Sequence, residues 1–336
     1  MVKAQKWILA KHFSGEPKED DLKLEEEELP ELKDGEILVE AVFWSVDPYM
    51  RPYTARFPVG ITMIGSQVGK IVESKTKDFP EGRYIVGYFG WRTHTVHDTT
   101  KEPLPGFPKA HLLPDFKELP YSLALGVLGM PGNTAYFGFL EICEPKEGET
   151  VVVTGAAGAV GSIVGQIAKI KGCRVIGFAG SDEKVKWLTE ELGFDAAYNY
   201  KTKDVNEALK EGAPKGVDCY FDNVGGDISS TVLNHMNTRG RISVCGSISS
   251  YNADPANYPR AAIVQPSMVF KELRMEGFIV HRWTDRWMEG IHTNLKWIRE
   301  GKLKYRETVT EGFKNMPKAF MGMLKGENTG KAIIKA

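Results

Sequence analysis

Three consecutive β-branched residues, Val151, Val152 and Val153, run into Thr154-Gly155-Ala156-Ala157-Gly158-Ala159-Val160-Gly161-Ser162, and no other stretch constrains the fold as strongly. An apolar run that breaks at glycines and reopens with helical spacing predicts a buried strand, a tight turn and a helix over residues 159–171. The pattern departs from G-x-G-x-x-G at its first position, where Ala156 stands, but Gly155 just before it can make the tight turn. Gly158 lets backbone approach a pyrophosphate, and Gly161 lets helix and strand pack closely. The first amides of the helix lack partners within it and lie at the positive end of its dipole, where phosphate is favoured. Gly155, Ala157, Gly158, Ala159, Val160 and Gly161 are therefore candidate dinucleotide-binding residues. Because a glycine triplet also serves ordinary strand-to-helix turns, the surrounding rhythm has to decide.

That rhythm is βαβ. Apolar runs at 174–179, 218–222, 241–245 and 275–280 predict strands, with helical spacing at 183–192, 205–211 and 228–236 between the earlier ones. Continuous rather than alternating apolarity fits strands covered on both faces, hence an α/β domain with a doubly wound parallel sheet of Rossmann type. Asp222-Asn223-Val224-Gly225-Gly226 and Cys245-Gly246-Ser247 follow two of these strands at the carboxyl edge, where open sheets bind ligands. The end of the second strand reads Phe178-Ala179-Gly180-Ser181, without the acidic residue that would accept from the adenosine ribose of NAD. Lys184 follows within one helical turn and can neutralise a phosphate, so the pattern predicts NADPH rather than NADH. Asp182 and Glu183 are accounted for by the helix dipole, and Lys184 by itself would equally suit a solvated surface.

The chain has 336 residues, enough for two domains with ample core. Lys and Arg number 43 against 44 Asp and Glu, so no net basic field points to nucleic acid or an acidic membrane surface. Cys143, Cys173, Cys219 and Cys245 lack C-x-x-C spacing, which suggests neither a zinc cluster nor a disulfide framework. No apolar run approaches a membrane span and residues 1–7 do not resemble a cleavable signal, so a reducing cytosol is expected. The first third differs in texture. Short β-type runs at 36–44, 68–73 and 83–88, cut by Pro30, Gly35, Pro48, Pro52, Pro58, Pro80 and Gly82, predict an antiparallel β-rich domain. The acidic stretch 16–31 reads as a solvated loop and strand edge. A helical passage over 121–141 leads into the second domain, and helices at 287–299 and 316–324 precede an extended end at 330–334.

With these pieces assembled the chain resembles the medium-chain dehydrogenase/reductase superfamily from end to end. The resemblance is carried by the β-rich start, Gly132-Asn133-Thr134-Ala135, the strand and turn at 151–161, and Gly330-Lys331-Ala332-Ile333. Finer matches are Val46-Asp47-Pro48-Tyr49-Met50-Arg51, Cys219-Tyr220-Phe221-Asp222-Asn223-Val224-Gly225-Gly226, Glu272-Leu273-Arg274-Met275-Glu276 and Asn315-Met316-Pro317-Lys318-Ala319-Phe320. These resemble its zinc-free double-bond reductases. The resemblance implies a GroES-like catalytic domain over 1–123, completed by about 305–336, and a Rossmann domain over 124–304. It also implies NADPH-dependent reduction of the α,β double bond of enones and enals, 15-oxo-prostaglandins and lipid-derived alkenals among them, by a cytosolic homodimer. On the same ground the cofactor site extends to Tyr200, Asn223, Cys245, Gly246, Ser247, Ile248, Ser249, Ser250, Tyr251, Phe278, Ile279, Val280 and Asn328.

Where zinc members of the superfamily carry a cysteine this chain has Ser45, and where they carry Gly-His-Glu it has Gly65-Ser66-Gln67. His94, His97 and His111 have no companions at ligand spacing, so no metal is expected. Without a metal to polarise an alcohol, hydride addition to the β-carbon of an enone is the more accessible reaction. The resulting enolate oxygen needs donors set out in advance: a tyrosine O–H and, as the resemblance implies, the nicotinamide ribose 2′-hydroxyl. Tyr251 and Tyr49 are the candidates, Tyr251 the stronger, with loop packing and a core or domain-interface role as their respective alternatives. The resemblance breaks at Phe270, where relatives carry a tyrosine proposed as a proton donor. Phenylalanine cannot donate, so that residue is dispensable to the chemistry or this chain differs in substrate preference. Tyr49, Tyr53, Phe57 and the loop at 250–264 could receive a lipid tail. Quinone reduction, oxidation of a hydroxylated eicosanoid, and a catalytically silent dinucleotide-binding protein stay open as alternatives.

Overall fold

The computed structural model describes residues 2–103, 107–254, 258 and 262–336. Along the chain, β1 (Lys3–Leu9), β2 (Leu22–Glu28), β3 (Glu36–Ser45), α1 (Met50–Tyr53), β4 (Gln67–Ser74), β5 (Tyr84–Gly87), β6 (His94–Asp98) and β7 (His111–Leu112) come first. There follow α2 (Met130–Leu140), β8 (Thr150–Val153), α3 (Gly161–Ile170), β9 (Arg174–Ala179), α4 (Asp182–Lys186), β10 (Ala196–Asn199), α5 (Val205–Gly212), β11 (Val217–Asp222), α6 (Gly226–His235) and β12 (Met236–Val244). The chain continues through α7 (Gln265–Phe270), β13 (Arg274–Gly277), α8 (Trp287–Arg299), β14 (Glu307–Glu311), α9 (Met316–Leu324) and β15 (Lys331–Lys335). It divides into two units, Val127–Arg306 and the discontinuous Met1–Gly126 with Glu307–Ala336.

In the continuous unit six strands lie in the order β10-β9-β8-β11-β12-β13, every adjacent pair parallel. This is the doubly wound order, with its switch point between β8 and β11. Val151, Val152 and Val153 are fully buried, as a strand covered on both faces requires. Local geometry moves several predicted boundaries. The helix expected from residue 159 starts at Gly161. The helix expected over 183–192 is α4 followed by a π-helical turn, Trp187–Glu191. The passage at 121–141 is a 3₁₀ turn, Tyr121–Leu125, and then α2, because Gly126 and Gly129 adopt non-helical backbone between them. β12 begins at Met236, before the expected 241, since the chain turns extended as soon as α6 ends.

In the discontinuous unit a sheet runs β14-β15-β3-β4-β5-β7, with β6 also pairing β3, and β1 and β2 form a separate antiparallel pair. β15 lies between β14 and β3, so the last segment of the chain closes the interior of this sheet. Trp44, Met50, Trp91, Met316 and Phe320 share one core, joined by Tyr49, Tyr53 and Phe57. The acidic stretch supplies β2, where Glu27 pairs with Lys6 at 2.8 Å. Among the described residues no helix is long and apolar enough to cross a membrane.

Candidate active site

The glycine turn forms because β8 must reverse tightly into α3. Gly155 takes φ +59°, a conformation other residues resist. The Gly158 N–H donates to Gly155 O at 3.0 Å, and Ser162 donates to Gly158 O from its N–H and its Oγ, at 3.2 and 2.8 Å. A Cβ on Gly161 would stand 2.4 Å from Gly155 O and 2.8 Å from the Ala156 Cα. The close approach that demands this glycine is thus between the helix start and its own turn, rather than between helix and strand as the sequence suggested. A Cβ on Gly158 would meet only Gly155 O, at 3.3 Å, so that face is open to a ligand.

Two loops line the carboxyl edge beside it. The Asp222 carboxylate is buried and accepts from the Thr154 hydroxyl at 3.2 Å and from the Val224 and Gly225 N–H groups at 2.9 Å each. Asn223 donates through Nδ2 to Thr154 O at 2.7 Å, so its side chain ties this loop to the glycine turn. The sequence places Asp222 in this loop without showing that it is the loop's anchor, although a lone carboxylate closing an apolar strand is a signal for such a role. The second loop is hydrogen-bonded onto the first: Cys245 and Gly246 donate to Asp222 O at 2.8 and 3.1 Å, Ile248 to Asn223 O at 3.3 Å, and Ser249 Oγ to Val224 O at 2.6 Å. Gly225 has positive φ, and a Cβ there would lie 2.6 Å from Ser247 Oγ. Tyr251 follows the 3₁₀ turn Ile248–Ser250, and its hydroxyl oxygen accepts from the Ser247 N–H at 3.3 Å. Ser247 and Ser250 join their hydroxyls at 2.9 Å. Burial, with the Asp222 charge adding to it, pushes the Cys245 thiol up to about 12.

The adenosine end is built where β9 stops. Ser181 Oγ accepts from the Lys184 N–H at 3.4 Å and caps α4, while Asp182 accepts from Asn199 Nδ2 at 2.8 Å. A Cβ on Gly180 would lie 3.1 Å from the Tyr200 hydroxyl and 3.5 Å from Lys201 Cε, so both side chains reach over the strand end. Lys184 is half-buried there; burial, and then the Lys201 cation, lower its pKa. Two ammonium groups near one another suit a phosphate, and Lys201 is a residue the sequence reading missed beside Tyr200. Other expected positions are less direct. The Phe278 ring packs on Phe221 and Trp283 and its N–H donates to Val244 O at 3.4 Å, while Ile279 is exposed and Val280 buried.

In the discontinuous unit Asp47 and Lys331 form a buried ion pair at 3.1 Å, and Ser45 donates its hydroxyl to Asp47. Tyr49 follows two residues later, its ring edge-on to Tyr53 at 5.2 Å. Burial first, then Tyr88 and Asp47, hold the Tyr49 phenol well above its ordinary pKa. Gln67 donates to Gly90 O at 2.8 Å. His94 faces Glu40 at 3.8 Å, His97 packs on Phe89, and His111 contacts Lys109 O. Among the described residues no group of three His, Cys, Asp or Glu is placed to hold a metal. Asn328 Nδ2 donates to Gly330 O at 2.8 Å within its own turn. Phe270, at the end of α7, is 84% exposed. Part of the loop expected to receive a lipid tail, residues 255–257 and 259–261, lies outside the described residues.

A doubly wound sheet with a glycine turn and a cationic strand end, together with a β-rich unit, defines a dinucleotide-dependent oxidoreductase. Residues 5–102 match the family described as the N-terminal domain of oxidoreductase, and residues 159–296 match that described as zinc-binding dehydrogenase. Prostaglandin reductase 1 of Bos taurus is 52% identical over 340 residues, covering all of both chains. The NADPH-dependent curcumin reductase of Escherichia coli (strain K12) is 40% identical over 98% of this chain and 96% of that one. The crystal structure of CurA from Vibrio vulnificus in complex with NADPH superposes with a TM-score of 0.90, at 38% identity and 99% coverage of each chain. The chain belongs to the medium-chain dehydrogenase/reductase superfamily.

Proposed function

We propose that this chain is an NADPH-dependent reductase of the carbon–carbon double bond of enones and enals, and that it works without a metal. The observation that carries this reading is the 52% identity with a prostaglandin reductase over the full length of both chains. The strand end that presents Lys184, Lys201 and Tyr200 in place of a carboxylate supports the choice of NADPH.

NADPH bound along the glycine turn would supply the hydride for the substrate β-carbon. Lys184 and Lys201 would hold the phosphate of the adenosine ribose, and the amides opening α3 would receive the pyrophosphate. Asp222 and Asn223 keep the two carboxyl-edge loops in register with that turn. Tyr251, its oxygen held by the Ser247 N–H, donates to the carbonyl oxygen as negative charge develops there. One such donor is worth up to about 4 kcal/mol. Water protonates the α-carbon, and the grouped rings of Tyr49, Tyr53 and Phe57 are apolar surface suited to a substrate tail. The unit Val127–Arg306 serves as the dinucleotide domain and the discontinuous unit as the catalytic one. A cytosolic homodimer belongs to the same proposal: β13 is an edge strand, and Val269 and Phe270 on neighbouring α7 are 71% and 84% exposed, an apolar face for a second copy.

Oxidation of NADPH and of NADH with an enone, an alkenal and a quinone, and reduction of NADP⁺ with an allylic alcohol, test the reading together. Enone and alkenal turnover with NADPH is expected. Turnover of the quinone alone, or of the alcohol alone, would replace it with another oxidoreductase activity.

A further inference from the structure

Lys331 is only 4% exposed, and burial lowers its pKa against the opposing pull of Asp47. All three of its ammonium hydrogens have acceptors: Asp47 Oδ1 at 3.1 Å, Val46 O at 2.7 Å and Ala332 O at 2.8 Å. Two of the three lie in the segment that leads to Tyr49. The other Asp47 carboxylate oxygen accepts from the Ser45 hydroxyl. From the same segment the helical turn α1 starts at once, with Met50 donating to Asp47 O at 3.2 Å and Tyr53 to Tyr49 O at 3.0 Å. Glu307 adds a second acidic group near Lys331 and accepts from Ser122 Oγ at 2.8 Å. The Lys331 stem packs on Gly126, where a Cβ would come within 3.4 Å of its Cγ.

A hydrophobic residue would fill this space without the cost of desolvating two charges, so the pair is a poor choice for stability alone. Its geometry serves another end. A rigid three-way anchor fixes the backbone at Val46 and Asp47, and Tyr49 is two residues further along, with the ring-locked φ of Pro48 between. The Asp47 charge also acts on the Tyr49 phenol itself. We propose that Lys331 is a positioning residue: through Asp47 and Val46 O it fixes where, and in what electrostatic surroundings, the Tyr49 phenol is presented to the substrate. This rests on the enone-reductase reading for its activity assay.

The test uses the full chain. Lys331→Met leaves Asp47 buried without its cation and is prone to misfold, so the charge-neutral Lys331→Met/Asp47→Asn double variant is measured beside it, each also combined with Tyr49→Phe. In the double variant NADPH affinity is expected to match the parent, while KM for the enone rises roughly tenfold with a smaller change in kcat, because a displaced contact group weakens substrate placement. That rise is expected to shrink to about twofold or less when Tyr49→Phe is already present, since two changes acting through one group are not additive. A parent-like KM in the double variant, or an equal rise with and without Tyr49→Phe, overturns the proposal. Tyrosine labelled at Cζ and read by NMR, with Tyr49 assigned by its loss in Tyr49→Phe, needs no substrate. A Tyr49 signal that does not move in the double variant overturns the positioning role whatever the assays give. Absence of enone turnover in the parent sinks the functional reading instead, and the NMR result then stands by itself.

Discussion

Replacing Gly161 with alanine separates the two glycines of the turn. Ordinary contact for a Cβ begins at about 3.4 Å, and at Gly161 it would lie 2.4 Å from Gly155 O and 2.8 Å from the Ala156 Cα, both backbone atoms. The turn therefore has to move by about 1 Å relative to α3. Overpacking of this kind costs about 1–3 kcal/mol, and the better helix propensity of alanine returns up to about 1 kcal/mol. The middle of the resulting range, a net loss of about 1–2 kcal/mol, corresponds to a Tm lower by about 2–8 °C for a unit of this size. The same displacement draws amides away from phosphate. Losing one hydrogen bond to a charged group costs about 1.5–3 kcal/mol, so NADPH should bind roughly ten- to a hundredfold more weakly. Gly158→Ala differs in stability alone, because its Cβ meets only Gly155 O at 3.3 Å: nearly unchanged Tm, and again weakened NADPH binding. Thermal unfolding and fluorescence titration of both variants give the comparison. If Gly161→Ala keeps the parent Tm and affinity, or if Gly158→Ala is the less stable of the two, the assignment of roles in the turn is wrong.

Lys184→Ala and Lys201→Ala should each weaken NADPH by about tenfold or more and leave NADH nearly unchanged, since one charged phosphate contact is worth about 1.5–3 kcal/mol; equal losses for both cofactors would put the phosphate elsewhere. Tyr251→Phe should lower kcat with an enone roughly ten- to a thousandfold with little effect on NADPH affinity, and Tyr49→Phe should be milder. If Tyr251→Phe turns over several enones like the parent while Tyr49→Phe does not, the donor is Tyr49. Prolonged chelation should leave turnover unchanged; stoichiometric zinc with chelator-sensitive activity would refute the reading of Ser45, Ser66 and Gln67 as non-ligands.

The parallel sheet was legible because its strands are buried on both faces and so read as unbroken apolar runs: β8, β9 and β11 stand where those runs lie. The antiparallel strands β3, β4 and β5 announced themselves through punctuation by proline and glycine. Pairings formed by long-range partners left no such trace. β6 and β7 are short and irregular in pattern, and β12 extends back to Met236 because that residue pairs with Val217 of β11, across an irregularity in register that no local spacing foretells. The site was legible as far as local spacing reaches, which covers the turn, Lys184 and the two loops. The roles of Asp222, Lys201 and Lys331 were not, because each acts through contacts with residues distant in sequence or set by folding: Thr154 for the first, Gly180 and Lys184 for the second, Asp47 and Val46 for the third. No periodicity encodes a buried lysine; only its partner across the sheet explains it.

Because β15 lies between β14 and β3, the order of biosynthesis bears on this chain in an unusual way. Residues 127–306 are contiguous and have all their sheet partners once they have emerged, whereas β3, made early, waits for residues made some three hundred positions later. Until then one side of β3 offers unpaired backbone groups at that end, the kind of edge that recruits other chains. At about 5–20 residues per second the wait lasts tens of seconds. Newly made chains thus depend on rapid completion, or on a chaperone holding the first unit, and slowing translation late in the message should cost more active protein than slowing it early.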